Sequence, residues 1–238
     1  MASAGYKKVL LKLSGESLSR SGEKGLVYDS CEQIALKIKE LHILGIQIGI
    51  VIGGGNIFRG ATFAKEMVRV NADSIGMLAT IINALALREA LEKVGIGAKV
   101  LSSVACDGIV KQYRYDLAQK YLGQGLVVLF AGGTGNPYFS TDTAAALRAC
   151  EMGADLLIKG TKVDGIYDKD PNIGSGALKY DSLTYSQLLE KRLKIMDAAA
   201  VVLCRDNCVP ICVIDIFDKG ALSKVVLGEK TGTLVTGE

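Results

Sequence analysis

Short, nearly unbroken apolar runs alternate along this chain with longer segments whose apolar positions recur every three or four residues. The runs lie at 9–13, 46–52, 99–104, 126–130, 156–158 and 211–214. A strand with apolar residues on both faces is covered on both faces, and that is the habit of parallel sheets. Between the runs, 30–44 places Ile34, Ile38 and Leu41 on one helical face, with Glu, Lys and Gln opposite. Residues 77–94 form a longer helical segment rich in Ala and Leu, and 141–152 and 196–205 shorter ones. The alternation predicts an α/β fold: a three-layer αβα sandwich around a mainly parallel central sheet, in a single domain spanning 1–238. Residues 160–182 break the rhythm. Asp164-Gly165, Asp170-Pro171, Asn172 and Gly174-Ser175-Gly176 are turn signals, so a hairpin or a lid is expected there.

Composition narrows the function classes. Of 238 residues, 49% are apolar and 22% charged, enough to bury a large core and too apolar for disorder. The longest unbroken apolar runs, such as 198–204, fall well short of the ~20 residues that cross a bilayer. The opening Met1–Lys8 has no apolar core of the kind export signals carry, so a cytoplasmic protein is expected. A formal charge of +3 without a basic stripe argues against nucleic acid as a partner. The six cysteines read as reduced thiols. Cys204, Cys208 and Cys212 are spaced by four, but they lack a second ligand pair, and the only histidine, His42, is distant in sequence. No metal ligands are assigned from spacing.

The chemistry should sit where parallel strands end. The first predicted strand runs into Lys12-Leu13-Ser14-Gly15-Glu16, the second into Gly53-Gly54-Gly55-Asn56 and Arg59, and the fourth into Gly132-Gly133-Thr134-Gly135-Asn136-Pro137. All three turns fall on one sheet edge. Glycines there let backbone N–H groups close on an anion, and helix N-termini add favourable dipoles. Such glycines also serve simply as strand-to-helix turns, but three at one edge, two beside cations, point to phosphate. The P-loop signature, the Gly-x-Gly-x-x-Gly fingerprint and the protein-kinase set are all missing, as is a Gly-x-Ser-x-Gly elbow.

Lys12-Leu13-Ser14-Gly15-Glu16, Gly53-Gly54-Gly55-Asn56 and Lys162-Val163-Asp164-Gly165-Ile166-Tyr167, followed by Asp170-Pro171, together resemble the amino-acid-kinase superfamily. Longer runs are similar to bacterial UMP kinases: Gly54 through Gly60, Ala72 through Thr80, Gly133 through Asp142, Leu193 through Asp197, and Arg205-Asp206-Asn207. The resemblance covers essentially the whole chain. It implies transfer of the ATP γ-phosphoryl group to UMP with Mg²⁺, an acceptor part over about 1–150 and an ATP part over about 151–238. By position it implies that Lys12, Leu13, Ser14, Gly15, Gly55, Arg59, Thr161, Tyr167 and Asp170 hold ATP. Gly54, Asp73 and the loop Thr134, Gly135, Asn136, Pro137, Tyr138, Phe139, Ser140 and Thr141 would hold UMP. Asp142 and Asp197 are candidates for positioning Lys12 or magnesium. Asp73 and Asp142 also read as residues near helix N-termini. Tyr138 and Ser140 stand where Phe and Thr are frequent, and the stretch between Gly60 and Asp73 is one residue shorter than in some relatives. The segment around Arg20–Gly25 corresponds to one linked with GTP regulation in some relatives. A homohexamer is implied too, and the residues Leu78, Ile81, Ile82, Leu85 and Leu87 fit either a central core helix or one partly covered by another subunit. Two other readings are open: a kinase of the same fold acting on a carboxylate or carbamate, and a nucleotide sensor without catalysis.

Overall fold

In the computed structural model, residues 5–20, 22–60, 66–171, 176–193 and 195–238 are described. The turn signals at Asn172 and Gly174-Ser175, residues 61–65 of the shortened stretch, Ser21 and Lys194 lie outside them. Strand β1 (Lys8–Leu13) occupies the middle of the main sheet, parallel to β2 (Gln47–Ile52) on one side and β6 (Leu156–Thr161) on the other. Beyond β2 come β5 (Val127–Ala131), β3 (Ala98–Ser102) and β4 (Lys111–Gln112), and beyond β6 come β10 (Ile211–Asp215), β11 (Thr233–Val235) and β9 (Ser182–Leu183). Only the β10–β11 pairing in this sheet is antiparallel. A separate hairpin pairs β7 (Ile166–Tyr167) with β8 (Lys179–Tyr180), inside the segment where turn signals foretold one.

Helices α1 (Tyr28–Ile43), α2 (Arg69–Lys93) and α7 (Ala221–Val226) cover one face of the sheet. Helices α3 (Tyr115–Gly123), α4 (Thr141–Met152), α5 (Tyr185–Glu190) and α6 (Ala198–Asp206) cover the other. Strand parity decides which residue meets which layer. Val9, Leu11 and Leu13 enter the α1–α2 core, and Leu10 enters the α4–α6 core. Lys12 therefore sides with Leu10. In β6, Leu156 and Ile158 face α1–α2 while Leu157 faces α4–α6, so Lys159 sides with Leu157. The two lysines are direct partners in the β1–β6 register.

The principal strands and helices lie close to their predicted positions, with three kinds of difference. First, α2 starts at Arg69 rather than 77, because its opening turns carry Asn71, Asp73 and Ser74 and lack an apolar period. Second, α3, α5 and α7 are too short for periodicity to register; α5 is set instead by a capping box of Thr184 and Gln187. Third, an 18-residue window of α2 has a mean hydropathy of 1.4, apolar enough to span a membrane, although its unbroken apolar runs are short. In the fold, α2 lays Ile81, Ala84, Leu87, Ala90 and Leu91 against the sheet. Its Leu78 and Ile82 remain about half exposed.

Candidate active site

Parallel pairing brings the carboxyl ends of β1, β2, β5, β6 and β10 to one rim. There, Lys12 and Lys159 flank a single carboxylate from the first turn of α4. Lys12 Nζ lies 2.7 Å from Asp142 Oδ1, and Lys159 Nζ donates to Oδ2 at 2.9 Å. Oδ1 is buried and, among the described residues, has no hydrogen-bond donor beyond that ion pair. Burial pushes the Asp142 carboxyl up, yet the two ammonium groups more than offset this and hold it below the usual carboxylate value. Burial, then the neighbouring Lys12 charge, push Lys159 below the ordinary lysine value, against the pull of Asp142. Lys159 also donates to the Ile195 carbonyl. Two cations thus share one anion on the rim, with little water to weaken their charges and with the Asp197 carboxylate near enough to act on Lys159.

The first two glycine turns close on each other beside this spot. Gly15 opens a 3₁₀ turn (Gly15–Leu18) capped by Ser14. A Cβ on Gly15 would fall 2.4 Å from Asn56 Oδ1 and 2.6 Å from the Gly53 carbonyl, so only glycine allows the approach. Gly53 donates to the Leu13 carbonyl at 2.9 Å, and Leu13 itself is buried in the core. Gly54 packs on Ala79 and Gly76 of α2. Asn56 and Asn83 exchange hydrogen bonds of 2.7 and 3.1 Å, and Asn83 also donates to the Gly53 carbonyl at 2.7 Å. This buried amide pair, unmarked in the sequence, fixes the second turn. Asn56 also reaches Gly25 in both directions, tying Gly25 to the same turn.

Next to Lys12 opens a cleft of about 690 Å³, lined by Ser14, Lys159, Thr161, Tyr167 and Asp170 among others. It unites most of the predicted ATP residues and falls within the usual size of ligand pockets. Thr161 holds the turn after β6, accepting from the Val163 amide at 3.0 Å and donating to the Val163 carbonyl at 2.7 Å. The Tyr167 hydroxyl and Lys179 Nζ both donate to Asp164, Lys179 at 2.8 Å, and these bonds hold that carboxyl below its usual value. Gly55 and Arg59 sit apart, in an adjoining hollow of about 430 Å³, with Arg59 paired to Glu16. A third hollow, about 490 Å³ between α7 and the β10–β11 pair, contains none of the predicted site residues.

On the other flank, Asp73 in the second turn of α2 accepts from the Tyr138 amide at 2.8 Å. The Arg69 guanidinium lies 4.7 Å from the Tyr138 ring centre and 3.5 Å from Asp73 Oδ2. Tyr138 adopts φ 70° and, like Phe139, stays exposed at the mouth of the loop. Thr134 Oγ1 accepts from the Asn136 amide and donates to its carbonyl, both at 3.2 Å, folding Gly135 and Asn136 into a tight turn before Pro137. Ser140 caps α4 by accepting from Asp142 and Thr143 amides, and Thr141 comes close to Gly53. Asp197 caps α6 and accepts from Ser140 and from Thr143, the latter at 2.9 and 3.0 Å. It braces the start of α4 and touches Lys12 through none of these bonds.

Lys159 is the functional residue that sequence reasoning passed over. It looks like a polar end to an apolar run, and only its parity with Leu157 beside Lys12 reveals its direction. Cys204 and Cys212 lie in the cores on opposite sides of the sheet, and Cys208 is exposed. Among the described residues no group of three or more His, Cys, Asp or Glu is placed to hold a metal. His42 bonds the Gly125 carbonyl at 2.9 Å, away from the rim.

A profile of the amino acid kinase family matches residues 7–215. The chain belongs to the amino acid kinase family. Solved structures agree with this family over nearly the full length. UMP kinase from Bacillus anthracis is 37% identical, with a TM-score of 0.93 over 97% of this chain and 96% of its own. UMP kinase from Ureaplasma parvum is 35% identical, with a TM-score of 0.91 over 97% and 99%. Uridylate kinase from Archaeoglobus fulgidus is 28% identical, with a TM-score of 0.74 over 96% and 100%. Within this family fold, the Lys12–Asp142–Lys159 cluster stands beside the 690 Å³ cleft, with the glycine-rich 132–140 loop on the other flank.

Proposed function

We propose that this protein is a cytoplasmic UMP kinase that transfers the γ-phosphoryl group of ATP to UMP, forming UDP and ADP in the de novo route to pyrimidine nucleotides. The pairing of Lys12 and Lys159 around Asp142, between the 690 Å³ cleft and the 132–140 loop, carries this reading. Similarity to the UMP kinases of B. anthracis and U. parvum across nearly the whole chain supports the choice of acceptor.

A phosphate oxygen of UMP attacks the γ-phosphorus; the bond to the β-phosphate oxygen breaks, and ADP leaves with its electron pair. With a second pKa near 6, the UMP phosphate is mostly ionised at neutral pH, so the attack needs no general base. Catalysis is then alignment of two polyanions and relief of their repulsion. Lys12 and Lys159 supply fixed positive charge at the rim, and Asp142 holds both ammonium groups in place. The turns at Gly15 and Gly54–Gly55 would offer backbone N–H groups on the ATP side beside Ser14, with Arg59 in the adjoining hollow, while Thr161, Tyr167 and Asp170 border the nucleoside end. Asp73 suits a ribose hydroxyl, with Gly54 and the loop from Thr134 to Thr141 around the uridylate. The part up to about residue 150 would mainly bind the acceptor, and the remainder the donor.

Mg²⁺ would arrive on ATP, whose phosphates supply most of its ligands, since magnesium usually keeps several waters and takes one or two carboxylates. Of the rim carboxylates, Asp142, shared by Lys12 and Lys159 where the cleft begins, is the one that would meet it. When bound, the ion neutralises part of the polyphosphate charge.

A coupled assay of ADP release with ATP and Mg²⁺ tests the reading. UMP should be turned over far faster than CMP, AMP or acetylglutamate. Equal rates with the three nucleotides would remove the acceptor choice, a preference for acetylglutamate would point to a carboxylate kinase, and tight nucleotide binding without turnover would point to a sensor.

A further inference from the structure

A second charged cluster lies under the acceptor loop, outside the phosphate-handling rim. Arg148 of α4 is only 4% exposed. Burying a guanidinium is costly unless its donors and its face all find partners. Here they do. Nη1 pairs with Glu151 on the same helix, and Nη2 donates to Ser103 Oγ at 2.8 Å. The guanidinium carbon stands 3.6 Å from the Tyr113 ring centre, and the Tyr113 hydroxyl donates to Glu151 at 2.6 Å. The chain of bonds runs onward: Ser103 Oγ donates to the Gly133 carbonyl at 2.9 Å. Gly132, Gly133 and Gly135 have φ of 75°, 59° and 82°, and a Cβ on Gly135 would come within 3.1 Å of the Ser103 carbonyl. The loop is thus a left-handed glycine turn that rests directly on Ser103.

We infer that Arg148 is a positioning residue for the acceptor, acting through Ser103 to hold Gly133 and the loop that follows it. The inference rests on the UMP kinase reading and assigns a residue to its acceptor side. The same helix carries Asp142 at its start, about 9 Å along the axis from Arg148. One rigid element therefore sets both the lysine pair and the height of the loop, so acceptor and phosphate positions are fixed relative to each other. An ammonium group could not do the same. Pairing with Glu151, bonding Ser103 and stacking on Tyr113 together require a planar fork.

The test is steady-state kinetics of the full-length enzyme, Ser103→Ala, Arg148→Lys and the double variant, with UMP and ATP varied separately, alongside thermal unfolding. Ser103→Ala leaves the Arg148–Glu151 pair intact and removes the hydroxyl that joins Arg148 Nη2 to the Gly133 carbonyl. It should raise KM for UMP roughly three- to tenfold, with kcat and KM for ATP within about twofold, and lower Tm by a few degrees because a buried Arg148 N–H loses its acceptor. Arg148→Lys should show the same split, and the double variant should be no worse in KM for UMP than the worse single change. An unmoved KM for UMP in Ser103→Ala, equal rises in both KM values, or strictly additive effects would overturn the inference. Wild-type turnover of UMP is the control: its absence overturns the function and this inference together, whereas normal wild-type turnover with a silent Ser103→Ala overturns the inference alone.

Discussion

Asp142 is the residue whose ionisation the site depends on most. Burial alone would raise its pKa, and Lys12 and Lys159 bring it below the usual value instead. A carboxyl depressed in the folded state adds stability above its unfolded value of 3.8 and loses it as pH falls through the lower folded value. Asp142→Asn should therefore be less stable than wild type in urea at pH 7, with the gap shrinking below about pH 4. A gap that stayed constant down to pH 3 would mean that the pair contributes no pH-dependent stability. Lys12→Ala keeps the fold by circular dichroism but should lower kcat by about a hundredfold or more, the scale for losing one fixed charge at a reacting phosphate. Lys12 was legible in the sequence because it stands beside a glycine turn. Lys159 was not, because a lysine at the end of an apolar run carries no direction until the register of its strand is known.

At the scale of elements, helix starts do much of the organising. Ser140 and Asp197 cap α4 and α6, and Asp197 ties the two caps together through Ser140 and Thr143. Asp197→Ala should cost about 1–3 kcal/mol of stability, from a lost cap and unpaired hydroxyls. Its kcat should fall much less than that of Lys12→Ala; an equal fall would assign Asp197 to the reacting phosphates. The six apolar runs became β1, β2, β3, β5, β6 and β10 because strands buried on both faces admit few polar residues. The short strands β4, β9 and β11 could not be read this way, having two or three residues each and pairing set by their neighbours. The buried Asn56–Asn83 pair was equally hidden, since the two amides are separated in sequence and meet only when α2 lies on the sheet.

For the whole molecule, α2 presents Leu78 and Ile82 half exposed on the side away from its sheet-facing residues, with Val70 and Ile75 also exposed on the same helix. Together with the implied homohexamer, this predicts a multi-subunit particle by size-exclusion chromatography with light scattering. Leu78→Glu with Ile82→Glu should shift it to smaller species. A wild-type monomer at micromolar concentration would remove the oligomer from the account. The two faces of the sheet divide the labour: α1, α2 and α7 build the larger core, and α4 and α6 deliver Asp142 and its brace to the rim.

A crystal structure with a non-hydrolysable ATP analogue and UMP measures the central claim most directly. The γ-phosphate should lie within hydrogen-bond distance, about 2.7–3.2 Å, of both Lys12 and Lys159, with the uridine nucleotide against Asp73 and the 132–140 loop. Either nucleotide seated elsewhere, for example in the hollow beside α7, would contradict it.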